Sequence, residues 1–137
     1  MKKSLLFLSL ALAVCAPLGA FAADAGAGQS VVERYVDLLY RQKKVDEAMA
    51  LIAPDLVQHS PRVKDGRDAW ASEMRFITQD PTSSFDVQEV LVQGDKAAVH
   101  FYGHLKADAP AAEIFEIYRV KSGLIVEHWS AFQMQVH

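Results

Sequence analysis

Two apolar runs flank Lys121-Ser122-Gly123 within Ile114–Gln133, and that pattern predicts a β-hairpin. The runs carry groups that apolar strands rarely hold: Glu116, Arg119 and Glu127-His128-Trp129. Alternation puts Ile114, Glu116 and Tyr118 on one face of the first strand, with Phe115 and Ile117 opposite. On the second strand Val126, His128, Ser130 and Phe132 share a face, with Ile125, Trp129 and Ala131 opposite. The turn then decides which residues meet. A type I turn followed by Gly123 in the left-handed region makes a three-residue loop, pairing Val120 with Leu124 and Glu116 with His128. A two-residue loop would set Glu116 against Trp129 instead; the three-residue loop is preferred.

Upstream the pattern is helical. Ser30-Val31-Val32-Glu33 fits a capping box, and Val32, Tyr35, Val36 and Leu39 continue one face of a helix to about Gln42. A short second helix is expected over Val45–Ile52, stopped near Pro54. Asp55–Val63 reads as extended and holds Gln58-His59-Ser60-Pro61. After a turn at Asp65-Gly66, a third helix is predicted from Arg67 to Thr78, with Trp70, Met74 and Ile77 on its buried side. Four strands follow, over Phe85–Gln93, Lys96–Lys106, Ala112–Val120 and Leu124–Gln135. Helices first and an antiparallel meander last define an α+β class in a single domain, residues 30–137.

The N-terminus reads as an address rather than as fold. Lys2-Lys3, the apolar run Leu5–Val14 and Ala20-Phe21-Ala22 make a signal peptide over residues 1–22, followed by an Ala/Gly-rich, flexible lead-in at 23–29. Cleavage after Ala22 predicts a soluble protein of the periplasm or a secreted one, with no membrane attachment. A lipoprotein anchored through Cys15 is disfavoured, because Val14 stands where a small residue is expected. Losing Lys2 and Lys3 leaves 12 of 14 basic residues against 17 acidic ones, a net charge of −5. That balance argues against nucleic acid as a partner. Cys15 is the one cysteine, so the mature chain has no thiol, disulfide or cysteine metal ligand.

In the strand Lys96–Lys106, His100, Tyr102 and His104 share one face and Val99, Phe101 and Leu105 the other. With Tyr102 aligned to Glu116, one sheet face would gather His100, Tyr102, Glu116, Tyr118 and His128. The other would hold Val99, Phe101, Phe115, Ile117, Ile125 and Trp129. Three helices can cover only one face, so the second is a candidate homodimer interface. Arg119 is expected opposite Glu116, in a surface or interface ion pair.

Glu116 is the candidate general base, since a carboxylate in an apolar cavity can take a proton from beside a carbonyl while donors hold the enolate oxygen. His128 and His59 are its candidate catalytic companions; His100, Tyr102 and Tyr118 are candidate substrate contacts. Each has a structural alternative: a Glu116–His128 or Glu116–Arg119 pair, and ordinary hydrogen bonds for the rest. No metal site is expected, because His100 and His104 would stand about 13 Å apart on one strand and His59, His100 and His128 lack a ligand spacing. No cofactor is expected either: there is no phosphate-binding Gly-rich loop, and no serine elbow marks a nucleophile.

Val57-Gln58-His59-Ser60-Pro61, Gly66-Arg67, Gln93-Gly94-Asp95, Val99-His100 and Ile117-Tyr118-Arg119-Val120 through Glu127-His128-Trp129 to Gln133 carry a resemblance. Together they resemble the SnoaL-like branch of the nuclear-transport-factor-two-like superfamily, which includes polyketide cyclases. The resemblance implies three N-terminal helices packed on a curved antiparallel sheet that forms a conical pocket, a cystatin-like α+β barrel. It also implies dimerisation through the outer sheet face, and a pocket lined by His59 and the polar strand residues. Relatives often have Asp where this chain has Glu116, and His-Trp-Asp where it has His128-Trp129-Ser130. The expected function is a cofactor-independent aldol cyclase, isomerase or lyase acting on a small hydrophobic carbonyl compound. The alternative is a non-catalytic small-ligand-binding protein of the periplasm.

Overall fold

The computed structural model describes residues 31–135; the expected signal peptide, the lead-in and the Ser30 cap lie outside the described residues. Helix α1 runs over 31–41 and buries Val32, Tyr35 and Val36. Its last turn, Asp37–Arg41, widens into a π-helix closed by Gln42 N–H on Asp37 O at 3.0 Å. The extra residue in that turn lets Leu38, Leu39 and Tyr40 all point inward. Lys43 then turns through the left-handed region (φ 55°), and its ammonium donates to the carbonyls of Asp80, Pro81 and Ser83. Helix α2 is shorter than expected, Val45–Met49. Helix α3 covers Arg67–Thr78, the predicted span, and buries Trp70 and Met74.

The strands are β1 (Ile52–Gln58), β2 (Ser84–Gln93), β3 (Lys96–His104), β4 (Ala112–Lys121) and β5 (Leu124–Met134). They form one sheet in the order β1-β5-β4-β3-β2. The α+β class stands, but the sheet is mixed: β1 runs parallel to β5 beside an antiparallel meander. Pro54 had marked a helix stop. It lies instead in β1, exposed on an edge strand, where a missing N–H costs no ladder bond.

The β4–β5 register differs from both expected versions. Ser122 (φ 51°) and Gly123 (φ 78°) are both left-handed, the signature of a two-residue turn whose twist matches the strands. Lys121 therefore pairs with Leu124. A bulge at Val126 then shifts the ladder by one residue, so Tyr118 faces His128 and Glu116 faces Ser130. The bulge returns Glu116, Tyr118, His128 and Ser130 to the same face.

The β3–β4 register overturns the expected gathering of polar residues. Val99 pairs with Glu116 and Tyr102 with Glu113. Ala97, Val99 and Phe101 thus share the inner, helix-covered face with Glu116, while His100 and Tyr102 lie on the outer face with Phe115 and Ile117. Val99, Phe101 and Ile125 belong to the core rather than beside Phe115, Ile117 and Trp129. The core fills the space between the inner face and the helices.

Candidate functional site

Glu116 is 4% exposed and comes from the middle of β4, where alternation turns it into the core. Two phenols converge on its Oε2: Tyr40 O–H donates at 2.8 Å, and Tyr118 O–H donates as well. Tyr40 is delivered by the π turn of α1, and Tyr118 lies two residues along β4. Behind them Trp70 Nε1–H donates to Tyr35 O at 2.7 Å, and the Tyr35 ring packs edge-on against Tyr118 at 5.2 Å. Burial pushes all three phenols well above their usual 10.0, with the neighbouring Glu116 charge the next cause. They therefore remain protonated donors throughout the neutral range.

The other oxygen, Oε1, faces His128 Nε2 at 3.5 Å. His128 is fully buried, sandwiched by Tyr118 (4.9 Å) and Trp70 (4.4 Å). Its Nδ1–H donates to Gln58 Oε1 at 2.7 Å, since an amide oxygen can only accept. The Nδ1 proton is thus committed to Gln58, and Nε2, which has no hydrogen-bond partner among the described residues, faces the carboxyl.

Glu116 and Tyr40 look onto a cavity of about 250 Å³. Its walls are mainly apolar, from Trp70, Met74, Ile77, Phe85, Phe101 and Ile114. Bare backbone at Gly103 keeps one wall back: a methyl there would meet Ile114 and Phe85 at 3.1 and 3.3 Å. Polar groups on the cavity are few: Glu116, Ser60 and Ser130, with Arg62 and Glu73 also on its lining. Past the end of β1 the chain stays alongside β5. His59 N–H donates to His128 O at 2.9 Å, the His59 ring stacks on Trp129 at 4.3 Å, and the Arg62 guanidinium lies 5.2 Å from the Phe132 ring centre. Ser60 consequently comes next to Ser130, which is the cross-strand neighbour of Glu116.

The family model of the SnoaL-like domain matches residues 32–128. The chain belongs to the SnoaL-like domain family. Solved structures agree on the fold. An NTF2-like protein of unknown function from Mesorhizobium loti superposes with a TM-score of 0.69 at 23% identity, over 80% of this chain and 93% of its own. A candidate ketosteroid isomerase from Kribbella flavida gives 0.69 at 19% identity, over 83% of each chain. IdmH, a candidate polyketide cyclase from Streptomyces antibioticus, gives 0.60 at 20% identity, over 77% of this chain and 91% of its own. No sequence among curated proteins matches significantly.

In this SnoaL-like chain the sequence-derived site residues divide between the two faces of the sheet. Glu116, Tyr118 and His128 come together inside, although Tyr118 and His128 stand behind Glu116 rather than on the cavity wall. His59, expected to line the pocket, stacks outside on Trp129 and bonds Glu127 Oε2 at 3.0 Å, because one residue past Gln58 the alternation points outward. His100 lies on Phe115 and meets Glu113 Oε1 at 3.0 Å; Tyr102 donates to the same oxygen at 3.1 Å. His104 Nδ1–H donates to Ala109 O. Arg119 is also outside, paired with Glu127 at 3.2 Å and Asp95 at 3.5 Å. Among the described residues no three His, Cys, Asp or Glu side chains converge as a metal site. The sequence reading missed Tyr40, Tyr35, Gln58 and Ser60. The run Leu38-Leu39-Tyr40 was the available signal, since three consecutive buried residues do not fit a narrow α-helical stripe.

Proposed function

We propose that this chain is a cofactor-independent acid/base enzyme that removes and returns a proton beside the carbonyl of a small hydrophobic compound. The observation that carries this reading is Glu116: a carboxylate on an apolar cavity, with Oε2 held by two phenols and Oε1 beside His128. Fixed O–H donors orient the carboxylate before the substrate arrives, and positioning is where much of catalysis lies. His128 accepts or returns the proton from behind, without touching the substrate. The likeness to a candidate ketosteroid isomerase and a candidate polyketide cyclase points the same way. The test is proton exchange: apolar cyclic ketones in deuterated water, followed by NMR. The wild-type chain should speed deuterium uptake beside the carbonyl, and Glu116→Gln should lose at least about 100-fold while keeping its fold. Equal rates in the two would remove Glu116 from the mechanism.

One observation favours a second reading, a non-catalytic binding protein. The same two phenols and His128 would also hold Glu116 as a fixed polar end to an apolar cavity, orienting a ligand without chemistry. Ligand binding with no exchange across the ketone series would select it.

The reading extends to setting. Lys2-Lys3, Leu5–Val14 and Ala20-Phe21-Ala22 support export to the periplasm or the medium. On the outer sheet face Leu91, Phe115 and Ile117 are exposed together with the half-covered His100 and Trp129, which supports a homodimer through that face. Sizing of the chain from Ala23 onward should give twice the monomer mass, and Phe115→Asp should halve it. A wild-type monomer would sink the dimer.

A further inference from the structure

Three polar residues line the cavity side by side: Ser60 just past the end of β1, Ser130 on β5 and Glu116 on β4. The alignment of Ser60 with Ser130 rests on two contacts that bracket it, His59 on Trp129 and Arg62 over Phe132. Among the described residues neither serine hydroxyl has a hydrogen-bond partner, although Ser60 is only 9% exposed. Every phenol nearby is committed: Tyr40 and Tyr118 donate to Glu116, and Tyr35 receives Trp70. Both serines line the cavity, and a ligand oxygen between the two hydroxyls would accept from each.

We infer that Ser60 and Ser130 are the substrate-holding donors of this site, cradling the carbonyl oxygen of the compound whose neighbouring proton Glu116 removes. This rests on the acid/base reading of Glu116 and narrows it to compounds with an oxygen within reach of both serines and the carboxylate. The step balances without a co-reactant. Glu116 takes the proton, and the C–H electron pair becomes the C=C bond of the enolate. The carbonyl π pair moves onto oxygen, where the two serine O–H groups hold the charge. Glu116 then returns a proton to that carbon, the carbonyl re-forms, and the net change is exchange of the hydrogen beside the carbonyl.

An enolate is flat and carries its charge on one oxygen, so an aromatic alcohol imitates it. Two probes separate the outcomes: 2-naphthol, whose oxygen can accept from the serines, and 2-methylnaphthalene, of nearly the same shape without that oxygen. Titration calorimetry on the wild-type chain should show 2-naphthol bound at least about 10-fold more tightly. Ser60→Ala and Ser130→Ala should each weaken 2-naphthol by about 10-fold and change 2-methylnaphthalene by less than about 2-fold. Retained binding of 2-methylnaphthalene also shows that the variant's pocket is intact. Unchanged 2-naphthol binding in both variants overturns the serine assignment and leaves Glu116 as it was. Failure of both probes to bind the wild-type chain overturns the pocket reading, and this proposal with it.

Discussion

The two faces of the sheet carry the same kind of pair in opposite surroundings. Outside, His100–Glu113 and His59–Glu127 meet at 3.0 Å, each ring stacked on an aromatic neighbour and open to water. Inside, His128–Glu116 is longer at 3.5 Å, yet both side chains are sealed, at 0% and 5% exposure. Distance alone would rank the outer pairs higher. Water screens them, and such pairs contribute about 0–1 kcal/mol. The inner pair cannot shed its charge imbalance to solvent, so every donor around it counts. What sets the inner histidine and glutamate apart is enclosure and the number of fixed donors, not the pair itself.

The sharpest way to break this contrast is to insert one alanine between Glu127 and His128. With the turn and bulge held, the alanine would take the place of His128 opposite Tyr118, turning Trp129 inward and His128, Ser130 and Phe132 outward and exchanging the two faces of β5. The expected cost exceeds about 5 kcal/mol, seen as loss of a cooperative unfolding transition. An insertion variant that melts like the wild type would mean that the register of β5 does not separate the faces. Alkali comes next. Tyr35, Tyr40 and Tyr118 are held above 10.0 in the fold and return to that value on unfolding. Below pH 10 both states keep these protons, and stability is unaffected. Above it only the unfolded chain releases them, so three phenols should remove about 4 kcal/mol of stability per pH unit. Tyrosinate absorbance from these rings should appear only with unfolding; free titration near pH 10 in the folded chain would contradict their enclosure. Smaller still is a matched pair of truncations under urea denaturation. His128→Ala should cost about 3 kcal/mol, by opening a cavity beside Tyr118 and Trp70 and stranding Gln58. His100→Ala should cost under about 1 kcal/mol. Equal costs would erase the distinction between the faces.

Much of this architecture was legible in sequence, and the failures have identifiable causes. Period-two alternation located β2 to β5 within a few residues, and the Asp65-Gly66 turn with the shared face of Trp70, Met74 and Ile77 placed α3. Alternation also put Glu116, Tyr118 and His128 on a common face, because the bulge at Val126 restored the parity that the two-residue turn had changed. Nothing local in Ile125-Val126-Glu127 announces that bulge. His100 and Tyr102 were assigned to the wrong face because the β3–β4 connection fixes a register that alternation within each strand cannot supply. Strand β1 was obscured by Pro54, which reads as a helix stop unless the strand is known to lie on an edge. Ser60 and Arg62 depend on chain that follows β5 after regular pairing ends, so only the assembled sheet could reveal them.

The π turn at Asp37–Arg41 has a consequence for how this helix can vary. A regular helix advances its phase steadily, so one extra residue would normally rotate everything after it off the core. Here the extra residue is absorbed within one turn, and Tyr35 before it and Tyr40 after it both reach the interior. Losing that residue would therefore restore ideal geometry and leave the two tyrosines related as i and i+4 on one face, whereas a further insertion would swing the Tyr40 hydroxyl away from Glu116. Substitutions along the exposed side of 31–41 should be freely accepted, whereas longer insertions between Tyr35 and Tyr40 should be excluded wherever this carboxylate is kept.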